Sequence, residues 1–172
     1  HVHLVEREDA LGGLLRRVRR NLEGDDVQAF LTETIERIES NPAVTVHLST
    51  VVDNTDGFIG NFLTNLDNGE TIEHGAIMIA TGGSEYEPSE YGYNESERVI
   101  TQRQLEDQMA ERGPAAGETY VMIQCVGSRE EPTNYCSRIC CQDALKNSIA
   151  IKEKSPETTV IILYRDMRAY GL

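Results

Sequence analysis

The sequence has no uninterrupted apolar run near the roughly 20 residues a membrane span needs, and no basic-then-apolar leader opens it. A soluble, cytoplasmic protein with no direct membrane insertion is therefore expected. Positive charge is scarce: 16 Lys+Arg stand against 29 Asp+Glu in 172 residues, a formal net charge of -13. A nucleic-acid binder normally carries a basic face, as does a protein that docks on anionic lipid. Both partner classes are disfavoured. Low-complexity tracts and tandem repeats are absent. Cysteine is absent outside one window, all four lying between Cys125 and Cys141 with the spacing C-x10-C-x3-C-C. A secreted disulfide scaffold would spread them to staple distant loops, so the clustering points to a metal or redox site. The rest, 39% hydrophobic and 26% charged, is an ordinary globular composition with room for one sizeable domain or two small ones.

The opening HVHLVERE predicts an apolar strand, His1 to Val5, that ends at Glu6 and is followed by Gly12-Gly13. A strand closing on an acidic residue is the pattern of the second strand of a dinucleotide-binding βαβ unit, where the carboxylate accepts from ribose hydroxyls. The first strand and its GxGxxG are missing, so the chain is expected to be a piece of a longer polypeptide. An ordinary solvated Glu6 is the plain alternative. Val27, Phe30, Leu31, Ile35 and Ile38 recur at helical spacing between Asp25 and Glu39, with Asp25 or Asp26 as cap and Asn41-Pro42 as stop. Three strand runs separated by turn signals then predict a meander returning into a buried strand, Ala76 to Ala80, which ends at Thr81-Gly82-Gly83. A boundary is expected in the polar stretch after Ser84, dividing 1–93 from 94–172. Beyond it, Thr101 to Arg112 reads as a helix stopped by Gly113-Pro114. Thr119 to Cys125 reads as a buried strand, about Ser137 to Lys154 as a helix, and Thr159 to Tyr164 as a strand, which together make a second βαβ unit.

In a nucleotide-binding βαβ unit the loop after the first strand is glycine-rich, so that phosphate can sit on the helix N-terminus. Here that loop reads QCVGSREEPTNYCSRICC, and cysteines stand in the phosphate's place. Cys125 leaves the strand, while Cys136, Cys140 and Cys141 are expected at the helix start, Cys136 and Cys140 sharing a face through i,i+4 spacing. Four thiolates could then converge, favoured by the helix N-terminus and by Arg129 and Arg138. Tetrahedral sulfur ligation fits zinc or an iron-sulfur cluster, and spacing alone does not separate them. The CxxC knuckles of a zinc ribbon are missing, and adjacent Cys140-Cys141 suit a wide cubane better than one small ion. A structural zinc module is the alternative. Buried cysteines without a ligand, and thiol-disulfide chemistry at Cys140-Cys141, rank below both.

The stretch VMIQCVGSREEPTNYCSRICC, Val121 to Cys141, resembles the A subunit family of heterodisulfide reductases, with LVERE…GG, the FIGNF meander and IATGG fitting the same family. The resemblance implies an α/β fragment of a flavoprotein with two dinucleotide-binding domains, thioredoxin-reductase-like, with Rossmann-like βαβ units and a three-stranded meander. It implies a partial FAD-binding domain in 1–93 and a partial second domain bearing the cysteines in 94–172. Glu6 would bind the adenosine ribose, and Gly12, Gly13, Val51, Thr81 and Gly82 would lie along the FAD. Cys125, Cys136, Cys140 and Cys141 would ligate a [4Fe-4S] cluster. The implied activity is electron transfer between FAD and the cluster in a multi-subunit complex, with other heterodisulfide-reductase-like subunits, ferredoxin or hydrogenase as partners. Many family members carry a further cysteine segment after the Gly-Gly pair; LLRRVRRNLEGDD here has none.

The run Arg16, Arg17, Arg19 and Arg20 reads as a solvated helix face, or as a counter-charge for a pyrophosphate. His1, His3, His47 and His74 read as structural, and Tyr86, Tyr91 and Tyr93 as loop packing. Arg165-Asp166 closes the last strand without the immediate acidic residue of a nicotinamide site. No general acid or base stands out.

Overall fold

The computed structural model describes residues 1–169, so the end of the expected 94–172 stretch lies outside the described residues. The fold is α/β and forms two compact units. One comprises 1–16 and 27–83, the other 17–26 and the chain from Ser84 onward.

In the first unit, β1 (Val2–Val5) pairs in parallel with β2 (Val44–His47), and α1 (Val27–Glu39) connects them. Strand alternation puts Val2, Leu4, Val44 and Val46 on one face of the pair and His1, His3, Thr45 and His47 on the other. The polar face is knitted together: His3 Nδ1 lies 3.0 Å from His47 Nε2, and His47 Nδ1 lies 3.1 Å from a Glu70 carboxylate oxygen. Leu31 is the buried contact of α1. The VTVH segment, expected within the meander, is thus a partner of β1 instead. The meander itself is β3 (Val52–Phe58), β4 (Asn61–Leu66) and β5 (Thr71–His74), antiparallel throughout. Its first hairpin needs glycine at position 57, where φ is 103° and a Cβ would meet Asn61 O at 2.2 Å.

The buried strand expected at Ala76 to Ala80 is not formed. This segment has no regular structure, and Met78 and Ile79 are 93% and 85% exposed. A strand exists only through neighbours that bond its backbone groups, and no strand among the described residues pairs with this run.

In the second unit, α2 (Gln102–Arg112) opens with a capping box. The Thr101 hydroxyl accepts from the Gln104 amide, and the Gln104 side chain accepts from the Thr101 amide. Strand β6 (Thr119–Ile123), helix α3 (Cys140–Lys154) and strand β7 (Thr159–Leu163) form a βαβ unit with β6 and β7 parallel. Leu105 and Met109 of α2, Met122 of β6, and Ala144 and Ile151 of α3 make the core. Asn147, 1% exposed, ties the two helices by donating to the Gln102 carbonyl at 3.3 Å and its side-chain oxygen at 2.9 Å. Of the basic run, Arg16 and Arg17 close an exposed 3-10 helix, Gly13–Arg17, and Arg19 and Arg20 lie beyond it. Arg17 pairs with Asp107 at 3.1 Å, and the Arg19 amide donates to Glu106, so the segment straps the acidic side of α2.

Candidate functional site

The cysteine loop starts where β6 stops. The Gln124 amide donates to Leu163 O at 2.9 Å, extending the ladder by one residue. Cys125 then adopts a left-handed conformation, φ 63°, and turns the chain away from the sheet. Arg129 and Arg138 are left-handed as well, φ 64° and 62°. Each such non-glycine residue costs roughly 1–2 kcal/mol, so the loop holds only because other contacts fix it. The Arg129 amide donates to Thr133 O at 2.8 Å and the Ser128 hydroxyl to Tyr135 O at 2.6 Å. Gly127 lies so close under the Tyr86 ring that a Cβ would fall 2.2 Å from it.

Helix α3 begins at Cys140, with no side-chain cap on its N-terminus. Cys136 therefore precedes the helix, and the expected i,i+4 face shared with Cys140 does not exist. The left-handed Arg138 between them breaks the helical run. All four cysteines are free thiols, Cys125 and Cys141 buried, Cys136 and Cys140 partly so. Three of the four sulfurs accept an N–H. Arg129 Nη1 lies 3.8 Å from Cys125 Sγ, the Arg138 amide 3.4 Å from Cys136 Sγ, and the Arg168 amide 3.4 Å from Cys141 Sγ. Burial pushes the Cys140 thiol up, the Cys125 backbone N–H draws it partly back, and the charges of Cys141 and Cys125 push it up again. Among the described residues no group of three or more His, Cys, Asp or Glu is gathered closely enough to hold one metal ion.

Around these sulfurs stands an arginine collar in a chain of net charge -13. Asp166 accepts from Arg129 and from Arg168 Nε, the latter at 2.7 Å, and Arg165 donates to Arg129 O and to Glu130. Those hydrogen bonds hold the Asp166 carboxyl below its usual range, Arg168 contributing most. Arg165, Asp166 and Arg168 were not read from sequence as part of the site. The signal is topological: parallel register pairs Ile123 with Leu163, so whatever leaves β7 lies beside Cys125.

The residues expected along FAD all fall in the first unit. Glu6 turns its carboxylate to the Glu8 amide at 2.9 Å. Gly12, φ 113°, packs on Leu31, where a Cβ would stand 3.0 Å from the side chain. Gly13 and Gly82 have open space where a Cβ would be, so their backbones are bare to an approaching group. Val51 exchanges backbone and side-chain hydrogen bonds with Asp67, and Thr81 lies in the exposed segment after β5.

No family model matches the chain. It is 40% identical over 116 residues to the A subunit of the H(2):CoB-CoM heterodisulfide,ferredoxin reductase of Methanothermobacter thermautotrophicus, covering 58% of this chain and 18% of that protein. It is 41% identical over 116 residues to the iron-sulfur A subunit of the CoB--CoM heterodisulfide reductase of Methanocaldococcus jannaschii, with the same coverage of 58% and 18%. Over that stretch the chain is similar to the heterodisulfide reductase A subunit. The A subunit of the ferredoxin:CoB-CoM heterodisulfide reductase of Methanosarcina mazei is 40% identical over 58% of this chain and 15% of its own length. The chain thus spans less than a fifth of the heterodisulfide reductase subunits it matches. Among solved structures, L-proline dehydrogenase from P. horikoshii superimposes on 99% of the chain and 32% of its own, with TM-score 0.47 and 15% identity. No helix among the described residues is long and apolar enough to cross a membrane.

Proposed function

We propose that the chain is part of a flavin iron-sulfur oxidoreductase of the kind to which the heterodisulfide reductase A subunit belongs, working in a multi-subunit complex in the cytoplasm. The observation that carries this reading is the donor set on the sulfurs: Cys125, Cys136 and Cys141 each accept an N–H, and Cys140 and Cys141 open α3. Such N–H···S bonds and a helix N-terminus favour negative charge on sulfur, as a cluster of thiolate-ligated iron requires. Cys125, Cys136, Cys140 and Cys141 would hold a [4Fe-4S] cluster, which accepts and gives up single electrons. The donor set fits: four soft sulfurs, two of them adjacent in sequence, suit several irons rather than one ion. The arginine collar offsets the charge that the site carries, and burial of Cys125 and Cys141 keeps water from two of the sulfurs.

FAD is the second group in this reading, with residues 1–93 contributing part of its domain and 94–172 part of the cysteine-bearing one. Gly13 and Gly82, bare on the side where a Cβ would stand, fit a cofactor lying against backbone. Glu6, Gly12, Val51 and Thr81 complete the proposed set; Gly12 does so by packing the loop on α1. Partners would be other subunits of such a complex and electron carriers such as ferredoxin or a hydrogenase, in line with the names of the relatives. Iron, sulfide and zinc analysis of the anaerobically purified chain tests the reading, with Cys136→Ser as control. About four irons and four sulfides per chain, lost in the variant, are expected. One zinc and no iron would replace the electron-transfer reading with a structural zinc module.

A further inference from the structure

Strands β6 and β7 run parallel, so the segments leaving their ends, Cys125 to Arg129 and Arg165 to Arg168, lie side by side. Asp166 touches none of the sulfurs, yet its two carboxylate oxygens are shared between the donors of two of them. One oxygen accepts from Arg129 Nη1, the nitrogen that faces Cys125 Sγ at 3.8 Å. The other accepts from Arg168 Nε at 2.7 Å, and the backbone N–H of that same Arg168 faces Cys141 Sγ at 3.4 Å. Arg165 adds a second tie, from its guanidinium to Arg129 O at 2.9 Å and to Glu130 at 2.7 Å. We propose that Asp166 is a positioning residue for the cysteine site: it holds the Arg129 and Arg168 N–H groups on Cys125 and Cys141, and so sets the redox potential of the centre these sulfurs bind.

The sign of the effect separates this from simple charge. Reduction adds one electron to the centre and breaks no bond, and N–H···S donors stabilise the added negative charge, so well-held donors raise the potential. A carboxylate acting only through its own charge does the reverse, because a nearby anion opposes reduction. Asp166→Asn keeps the shape but removes the charge that anchors two arginines. If Asp166 positions the donors, they loosen and the potential falls. If its charge alone matters, the potential rises.

The inference rests on the cluster reading, and the test keeps the two apart. Iron and sulfide content is measured first in the full chain, anaerobically, followed by a midpoint potential from dithionite titration monitored by visible and paramagnetic resonance spectra. Asp166→Asn is expected to bind as much iron as the wild type and to reduce at a more negative potential, with Asp166→Glu closer to wild type. An unchanged or more positive potential in a fully loaded Asp166→Asn overturns the proposal while leaving the cluster reading intact. Should Asp166→Asn not fold or load, Arg168→Lys is read instead. It keeps the positive charge and the backbone donor but loses the Nε–H that Asp166 accepts, and an unchanged potential there also overturns the proposal. A wild-type chain that binds no iron removes the cluster reading and this inference with it.

Discussion

Replacing Asn147 should loosen the second unit and, through it, the cysteine site. This side chain is 1% exposed and its amide nitrogen is shared between the carbonyl and the side-chain oxygen of Gln102, the first residue of α2. Each hydrogen bond lost contributes about 1 kcal/mol net. Gln102 is only partly buried, so its side-chain oxygen can turn to water, whereas its carbonyl is fixed by the helix start. Adding a small void at a closed site, Asn147→Ala should destabilise by about 2–3 kcal/mol. Asn147→Leu fills the volume but still strands the carbonyl, and should cost about 1–2 kcal/mol. Urea unfolding followed by circular dichroism measures both. A double-mutant cycle with Gln102→Ala should return a coupling of about 1 kcal/mol for the side-chain bond alone. Because Asn147 and Cys140 stand two turns apart on α3, Asn147→Ala should also retain less iron than wild type. A variant within about 0.5 kcal/mol of wild type, or a cycle with no coupling, would refute the view that this contact braces the helix bearing Cys140 and Cys141.

Two further outcomes concern protonation and thiol access. The Ser155 hydroxyl, and then the Glu157 amide, hold the Glu157 carboxyl below its usual range, beside the turn that joins α3 to β7. Its folded value lies below the unfolded value of about 4.3, so the stability it supplies is present above that pH and is lost as pH falls through the folded value. Glu157→Gln should flatten the acid side of a urea-midpoint profile, and an unaltered slope would count against this contact. In the metal-free chain a maleimide should modify Cys136 before Cys125 or Cys141, which are 8% and 3% exposed. Mass spectrometry of partly labelled protein reads the order, and prior labelling of Cys141 would contradict the burial described.

Where local pattern and tertiary context agree, the elements were legible from the residues. Helix α2, expected from Thr101, starts at Gln102 because Thr101 and Gln104 carry the capping box in their side chains. The β6–α3–β7 unit follows from two apolar runs around a helical one. The misreadings occur where the outcome depends on partners distant in sequence. Ala76 to Ala80 has the composition of a buried strand but no paired neighbour among the described residues. VTVH alternates like its successors, and only the parallel register with Val2 to Val5 sets it apart from the meander. At the cysteines, spacing suggested a helical pair at 136 and 140, yet a left-handed Arg138 cannot be read from composition. Arg129 and Arg138 were visible as neighbours in sequence. Asp166 and Arg168 enter only because parallel strands bring their ends together.

The contact between Tyr86 and Gly127 gives the loop a built-in optical probe. The chain contains no tryptophan, so the emission of its seven tyrosines is not drained by energy transfer to an indole. One of those phenols lies against the backbone two residues from Cys125, and its hydroxyl donates to Glu90 at 3.2 Å. An absorbing centre on the sulfurs would quench that ring ahead of tyrosines farther off. The difference in ultraviolet fluorescence between wild type and Tyr86→Phe would therefore follow the filling of the cysteine loop in real time, with no label attached.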